Sequence, residues 1–164
     1  MKPSLALALL VAVACLLAIT EPVGAQDLGI KSWGLRGGLS INPDQGTGGV
    51  FVNAGHFSRR VRFQPSFDLG FGNGVRLLAL NLDAFYIFSP HPWRPYAGGG
   101  LGINFIDVTE GVGEGRGLDV EAALQIVGGI EWGDLRAGFR RYLVEARLGV
   151  GDTPDLKLTA GIAF

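Results

Sequence analysis

The chain is poor in the residues from which catalytic and metal sites are usually built. Its 164 residues include one cysteine (Cys15), one methionine and two histidines, His56 and His91. A lone thiol excludes a disulfide framework and a Cys-based structural metal site. Charge of one sign is also missing. Lys and Arg number 14 against 15 Asp and Glu, a net of −1, so there is no electrostatic case for a nucleic-acid partner. No Gly-Lys pair occurs, which removes the phosphate-binding loop of nucleotide enzymes. The glycine runs at 70–74 and 111–115 lack the spacing and following helix of a dinucleotide site and read as hairpin or loop backbone. No cofactor is expected. What the chain has in excess is glycine, 27 residues. That load cripples a helical domain but serves a tightly coiled sheet.

The first 25 residues read as a segment that leaves before folding. Lys2 gives a basic start, residues 5–19 are an unbroken apolar run, and Val23, Gly24 and Ala25 are small residues ahead of Gln26. This is the layout of a secretory signal peptide. The run falls short of the ~20 residues that a spanning helix needs. A lipoprotein reading at Cys15 lacks the expected leucine upstream. Residues 1–25 are therefore expected to be a signal peptide and 26–164 a single domain.

In that domain the hydrophobic period is two, the period of half-buried strands. Residues 155–164 put Leu156, Leu158, Ala160, Ile162 and Phe164 on one face. Residues 32–41 put Trp33, Leu35, Leu39 and Ile41 opposite Ser32, Arg36 and Ser40. Residues 49–57 form a second strand whose faces do not separate, after a loop at 42–48. Residues 61–71 alternate Val61, Phe63, Pro65, Phe67, Leu69 and Phe71 with Arg62, Gln64, Ser66 and Asp68. Residues 75–88 set leucines, Tyr86 and Phe88 against Asn81 and Asp83. Further strands are expected at 94–105, 118–132 and 135–145, with loops at 107–117 and 146–154. The expectation is an all-β, eight-stranded antiparallel up-and-down transmembrane β-barrel, the smallest common size for such proteins. If both ends lie in the periplasm, the turns near Ser58, Pro90 and Gly133 are periplasmic and those near Asp44, Asn73, Gly113 and Gly151 extracellular. Trp33, Trp93 and Trp132 then fall at one rim as a periplasmic aromatic girdle. Arg141 alone has lipid-facing parity within its strand.

The polar faces carry Arg36, Arg62, Asp68, Asp83, Asp119, Glu121, Glu131, Arg136, Arg140 and Lys157. Charges withdrawn from water must be paired. These residues are therefore expected to form a salt-bridge network filling the lumen. An eight-stranded barrel is just wide enough for side chains to fill. His56 and His91 have no nucleophile placed beside them by a recognisable motif. Acidic residues Asp107, Glu110 and Glu114 lack the spacing of an oxygen-ligand cation site.

The stretch 95–105, PYAGGGLGINF, with the terminal strand ending in Phe164, resembles the small outer-membrane barrel superfamily of the OmpA membrane domain, OmpX and the opacity proteins. The resemblance implies a monomeric cell outer-membrane protein with lipid and lipopolysaccharide around it. It also implies periplasmic chaperones and the barrel-assembly machinery as partners, with Leu158, Ala160, Ile162 and Phe164 as the assembly signal. The lipid A deacylases share the barrel but use a His-Ser pair late in the chain, and no histidine follows His91 here. The expected role is structural or surface interaction, not enzymatic. The competing readings are a narrow passive pore and a secreted lipocalin-like binder, the latter told apart by solubility without detergent. One outcome follows directly from the leader: N-terminal sequencing of the membrane-inserted protein is expected to start at Gln26, and a start at Met1 would contradict the signal-peptide reading.

Overall fold

The computed structural model describes residues 27–42, 44–72, 75–89, 92–108, 118–133, 140–150 and 156–164, without the side chains of residues 75, 107, 108, 118 and 119. The expected signal peptide lies outside the described residues, as do His91, Glu110, Gly113, Glu114, Arg136 and Gly151. The described residues form eight strands: β1 (Asp27–Ile41), β2 (Gln45–Ser58), β3 (Val61–Gly72), β4 (Val75–Ile87), β5 (Trp93–Val108), β6 (Leu118–Trp132), β7 (Arg141–Val150) and β8 (Leu156–Ala163). Each pairs antiparallel with its sequence neighbour, and β8 returns to β1 to close the barrel. The all-β, eight-stranded antiparallel barrel expected from the alternation is the fold observed.

Closure runs from Gly34 opposite Ala163 to Ile41 opposite Leu156. Just beyond it, the Phe164 amide donates to the Trp33 carbonyl at 2.8 Å and the Trp33 amide donates back at 3.3 Å. The sheet therefore has no free edge along this seam, the condition for placing strands in lipid.

The polarity is inverted relative to a soluble domain. Leu35, Leu39, Leu80, Leu82, Leu101, Ile103, Val120, Ile126, Val144, Leu148 and Leu158 stand exposed on the outer face. Arg36, Arg62, Asp68, Asp83, Glu131, Glu145, Arg147 and Lys157 are buried inside. Small apolar clusters share the interior: Phe51, Leu143 and Ala163 in one, Phe85, Tyr96 and Val127 in the other.

Three boundaries differ from the sequence expectation. β1 starts at Asp27, where a non-strand lead was expected. The first hairpin is tighter than a loop over 42–48, because Ser40 already pairs with Gln45 and Asn42 takes the left-handed conformation, φ 54°, that asparagine tolerates. β7 begins at Arg141, and its odd positions Leu143, Glu145 and Arg147 are buried while Tyr142, Val144, Leu148 and Val150 are exposed. The phase expected from residues 135–139 is thus reversed, and Arg141 shares the inward parity.

β2 has an identifiable irregularity. Phe51 pairs with Ser66 and His56 with Arg62, so β2 holds one residue more than β3 between these points. Gly55 takes φ 97° there, as a bulge residue does. Phe51 and Asn53 face inward before the bulge, whereas Phe57, of the same parity, is exposed after it. That switch is why the two faces do not separate in the sequence. Pro65 lies opposite the interruption, so its missing N–H falls where the β2–β3 ladder is already broken.

Close strand packing makes a sharp contrast between two glycines. A Cβ at Gly98 would collide with the Ala84 carbonyl oxygen, whereas a Cβ at Gly128 meets nothing within 4 Å. Gly98→Ala is expected to lower stability in lipid vesicles by ~1–3 kcal/mol, and Gly128→Ala to stay within ~0.5 kcal/mol. Urea unfolding read by tryptophan fluorescence checks this; equal midpoints for the two variants would contradict the packing.

Candidate functional site

The distinctive feature of the interior is a network of charged groups withdrawn from water. Arg36 on β1 grips Asp68 on β3 with two parallel hydrogen bonds, Nε to Oδ1 at 2.9 Å and Nη2 to Oδ2 at 2.7 Å. Its Nη1 crosses to Glu145 on β7 at 3.1 Å, and Nη2 also donates to Ser66 at 2.7 Å. Planar guanidinium forks suit such bidentate contacts. Asp68 accepts further hydrogen bonds from Asn81 at 3.1 Å and Lys157 at 3.2 Å. Arg147 binds Glu145 through Nε at 2.5 Å and Asp83 through Nη2 at 2.9 Å. Gln125 donates to Asn81 and Asp83, and the Tyr96 hydroxyl donates to the second oxygen of Glu145 at 2.9 Å. Arg36, Arg147 and Lys157 balance Asp68, Asp83 and Glu145, so this central group is neutral.

Glycines give these side chains their room. A Cβ at Gly49 would strike the Asp68 carboxylate, and one at Gly100 the Asp83 carboxylate. A Cβ at Gly129 would come within 2.5 Å of the Tyr96 hydroxyl. In each case a bare backbone on one strand seats a polar group from its neighbour. The GGGLG run of β5 is therefore part of the network's geometry.

A second cluster lies nearer the end of the barrel where β1 begins and β8 finishes. Glu131 accepts from Arg62 Nη1 at 2.8 Å and is ion-paired with Arg94 at 2.9 Å and, more loosely, Arg141 at 3.8 Å. The Arg62 guanidinium also sits over the rings of Phe85 and Tyr96, 5.5 and 5.3 Å from their centroids.

The residues singled out in the sequence fall into distinct places. Arg36, Asp68, Asp83 and Lys157 belong to the central network, and Arg62 and Glu131 to the second cluster. Glu121 is half-buried, and its buried Oε2 has no hydrogen-bond partner among the described residues. The Asp119 side chain and Arg136 lie outside the described residues. Arg140, expected in the lumen, is instead exposed, with its guanidinium 5.3 Å from the Phe164 ring. Arg141, expected on the lipid face, is the residue that enters the cluster. Both corrections follow from the phase of β7, in which the odd positions Leu143, Glu145 and Arg147 face inward. Glu145 and Arg147 were not singled out, although the alternation in YLVEARLGV places them on one face.

Trp33, Trp93 and Trp132 lie toward the same end of the barrel. Trp33 stacks on Phe164 at 4.9 Å, Trp93 packs on Trp132 at 5.4 Å, and Trp132 stacks on Tyr142 at 6.1 Å. Tyr86–Phe88 and Phe57–Phe63 pairs continue the ring. On β8, Leu158, Ala160 and Phe164 are exposed and Ile162 is half-buried.

A closed barrel with an apolar exterior and a charged interior is built for lipid as its outer solvent. Two solved structures share its fold. The N-terminal β-barrel domain of Pseudomonas aeruginosa OprF superposes with a TM-score of 0.58 at 17% identity, covering 83% of this chain and 98% of that one. Neisserial surface protein A (NspA) gives 0.53 at 14% identity, covering 80% and 93%. No protein-family profile and no curated protein matches the sequence. The likeness is one of fold, that of the small eight-stranded outer-membrane barrels.

The network makes a ranked prediction. Arg36→Met leaves Asp68 and Glu145 short of a partner and is expected to cost ~3–5 kcal/mol, the range for breaking a buried ion pair. Lys157→Met removes one of several donors to Asp68 and is expected to cost less. Urea unfolding in lipid vesicles reads both; a larger loss for Lys157→Met would contradict the central place of Arg36.

Proposed function

We propose that the chain is an integral outer-membrane β-barrel protein with a structural or surface-interaction role and a salt-bridged polar lumen. The observation that carries this reading is the inverted polarity: an apolar exterior on a barrel whose charged groups are buried inside. Both ends of the chain and the aromatic rim are assigned to the periplasmic side, with the opposite hairpins facing outward. Aromatic residues at a membrane–water interface are the usual anchors of such barrels. Lipid and lipopolysaccharide surround it, it acts as a monomer, and periplasmic chaperones and the barrel-assembly machinery deliver it after export. The β8 face of Leu158, Ala160, Ile162 and Phe164 is the proposed assembly signal.

An enzymatic role is not part of this proposal. The central carboxylates and guanidinium groups are committed to one another, an arrangement suited to holding the strands together. A narrow passive pore is the second reading, favoured by one observation. A cavity of about 30 Å³ lies among Leu77, Asn81, Asn104, Gln125, Arg147 and Lys157, room for about two waters. Planar-bilayer recording of the refolded protein separates the two. The structural reading predicts a folded barrel with no sustained conductance. Steady openings that change with Asp83→Asn would instead establish the pore.

A further inference from the structure

The two charge clusters differ in balance. The central one pairs three cations with three carboxylates, whereas the second sets Arg62, Arg94 and Arg141 around Glu131 alone. Glu145, the next carboxylate inward, is already engaged by Arg36, Arg147 and the Tyr96 hydroxyl. Among the described residues the second cluster thus keeps an excess of two positive charges. His56, whose backbone pairs with Arg62, adds no negative charge to it.

Donor capacity is left over as well. Arg62 Nε and Arg141 Nε are buried without a hydrogen-bond partner among the described residues, and Arg94 Nη2 faces Glu131 without a well-aligned hydrogen bond. Arg62 is 4% exposed as a residue, lies over the Phe85 and Tyr96 rings and is hydrogen-bonded to Glu131, so its fork is held in place before any ligand arrives. Side-chain exposure rises from Arg62, 4%, through Arg141, 13%, to Arg94, 21%. Arg141 and Arg94, which share Glu131 with the buried Arg62, are thus partly open to solvent. An unpaired buried charge is costly, and an anion entering here relieves it.

The geometry points to an anion site at this mouth of the barrel, formed by Arg62, Arg94 and Arg141 and matched in charge to one phosphoryl group. Guanidinium forks bind phosphate oxygens in pairs, and a dianion neutralises the excess left after Glu131. Glu131 holds the three arginines together while competing with the ligand for them. The phosphoryl group comes either from free phosphate or from a lipid headgroup at the rim.

The test uses the full mature barrel folded in dodecyl maltoside, a phosphate-free non-ionic detergent, titrated with inorganic phosphate by calorimetry at constant ionic strength. Saturable one-to-one binding is expected. The Arg94→Gln/Arg141→Gln variant is expected to bind at least roughly tenfold more weakly, the effect of losing one charge-assisted hydrogen bond. Glu131→Gln is expected to bind more tightly, because the competing carboxylate is gone. Should Glu131→Gln fail to fold, the double variant, altered at partly exposed rim positions, still decides. No saturable binding, or equal binding by wild type and double variant, overturns the proposal. Repeating the titration in nanodiscs containing phosphatidic acid identifies the source. Unchanged binding assigns the site to free phosphate, and loss of binding assigns it to the lipid phosphate.

Discussion

In hydrocarbon, a backbone N–H or C=O without a partner costs several kcal/mol, and the β1–β8 ladder is what removes that penalty from this chain. The register from Gly34–Ala163 to Ile41–Leu156, extended by Trp33 and Phe164, joins the first and last strands. Without that seam the sheet would present two open edges to lipid. The exceptions to regular pairing among the described residues fall toward the rim that carries Trp33 and Phe164: β1–β2 shifts register between Leu28 and Ser32, and β2–β3 between Phe51 and His56 and again before Ser58, with Pro65 opposite the extra residue at Gly55. The backbone irregularity and the missing proline donor thus share one location.

Closure turns one face of every strand inward, and the narrow interior then dictates side-chain choice. Large polar groups fit only where a neighbouring strand offers bare backbone, as Gly100 does for Asp83 and Gly49 for Asp68. Charges placed there cannot be solvated by bulk water and must meet partners across the lumen. Arg36 spans from β3 to β7, and Arg147 joins Asp83 to Glu145. The same contacts that satisfy the charges tie non-adjacent strands together. Glycine content and charge balance are therefore two sides of one packing solution.

Much of this was legible in the sequence because period two is unambiguous when one face is apolar and the other charged. The first, third, fourth, fifth, sixth and eighth strands show it, and the Arg36, Asp68, Asp83 and Lys157 positions follow from parity alone. Parity fails at a bulge, which is why residues 49–57 gave no clean faces. It also fails when the phase is taken from residues outside the strand: alternation counted through 135–139 puts Arg141 outside and Arg140 inside, the reverse of what is found. Pairing was beyond reach of the pattern. Nothing in the alternation says that Arg147 reaches Asp83, or that Tyr96 caps Glu145, since those contacts depend on how far the sheet coils before it closes.

The aromatic rim and the positive mouth cluster lie at one end of the barrel, with the neutral central network further in, and all depend on the outer wall facing lipid. The mature region expected from the sequence contains no cysteine, so single-cysteine spin labels can be placed at residues 80 to 83 of β4 in lipid vesicles. Oxygen accessibility is expected to be high at Leu80 and Leu82 and low at Asn81 and Asp83, with a water-soluble nickel complex excluded from Leu82. A flat profile, or ready access of the nickel complex to Leu82, would contradict a lipid-facing wall.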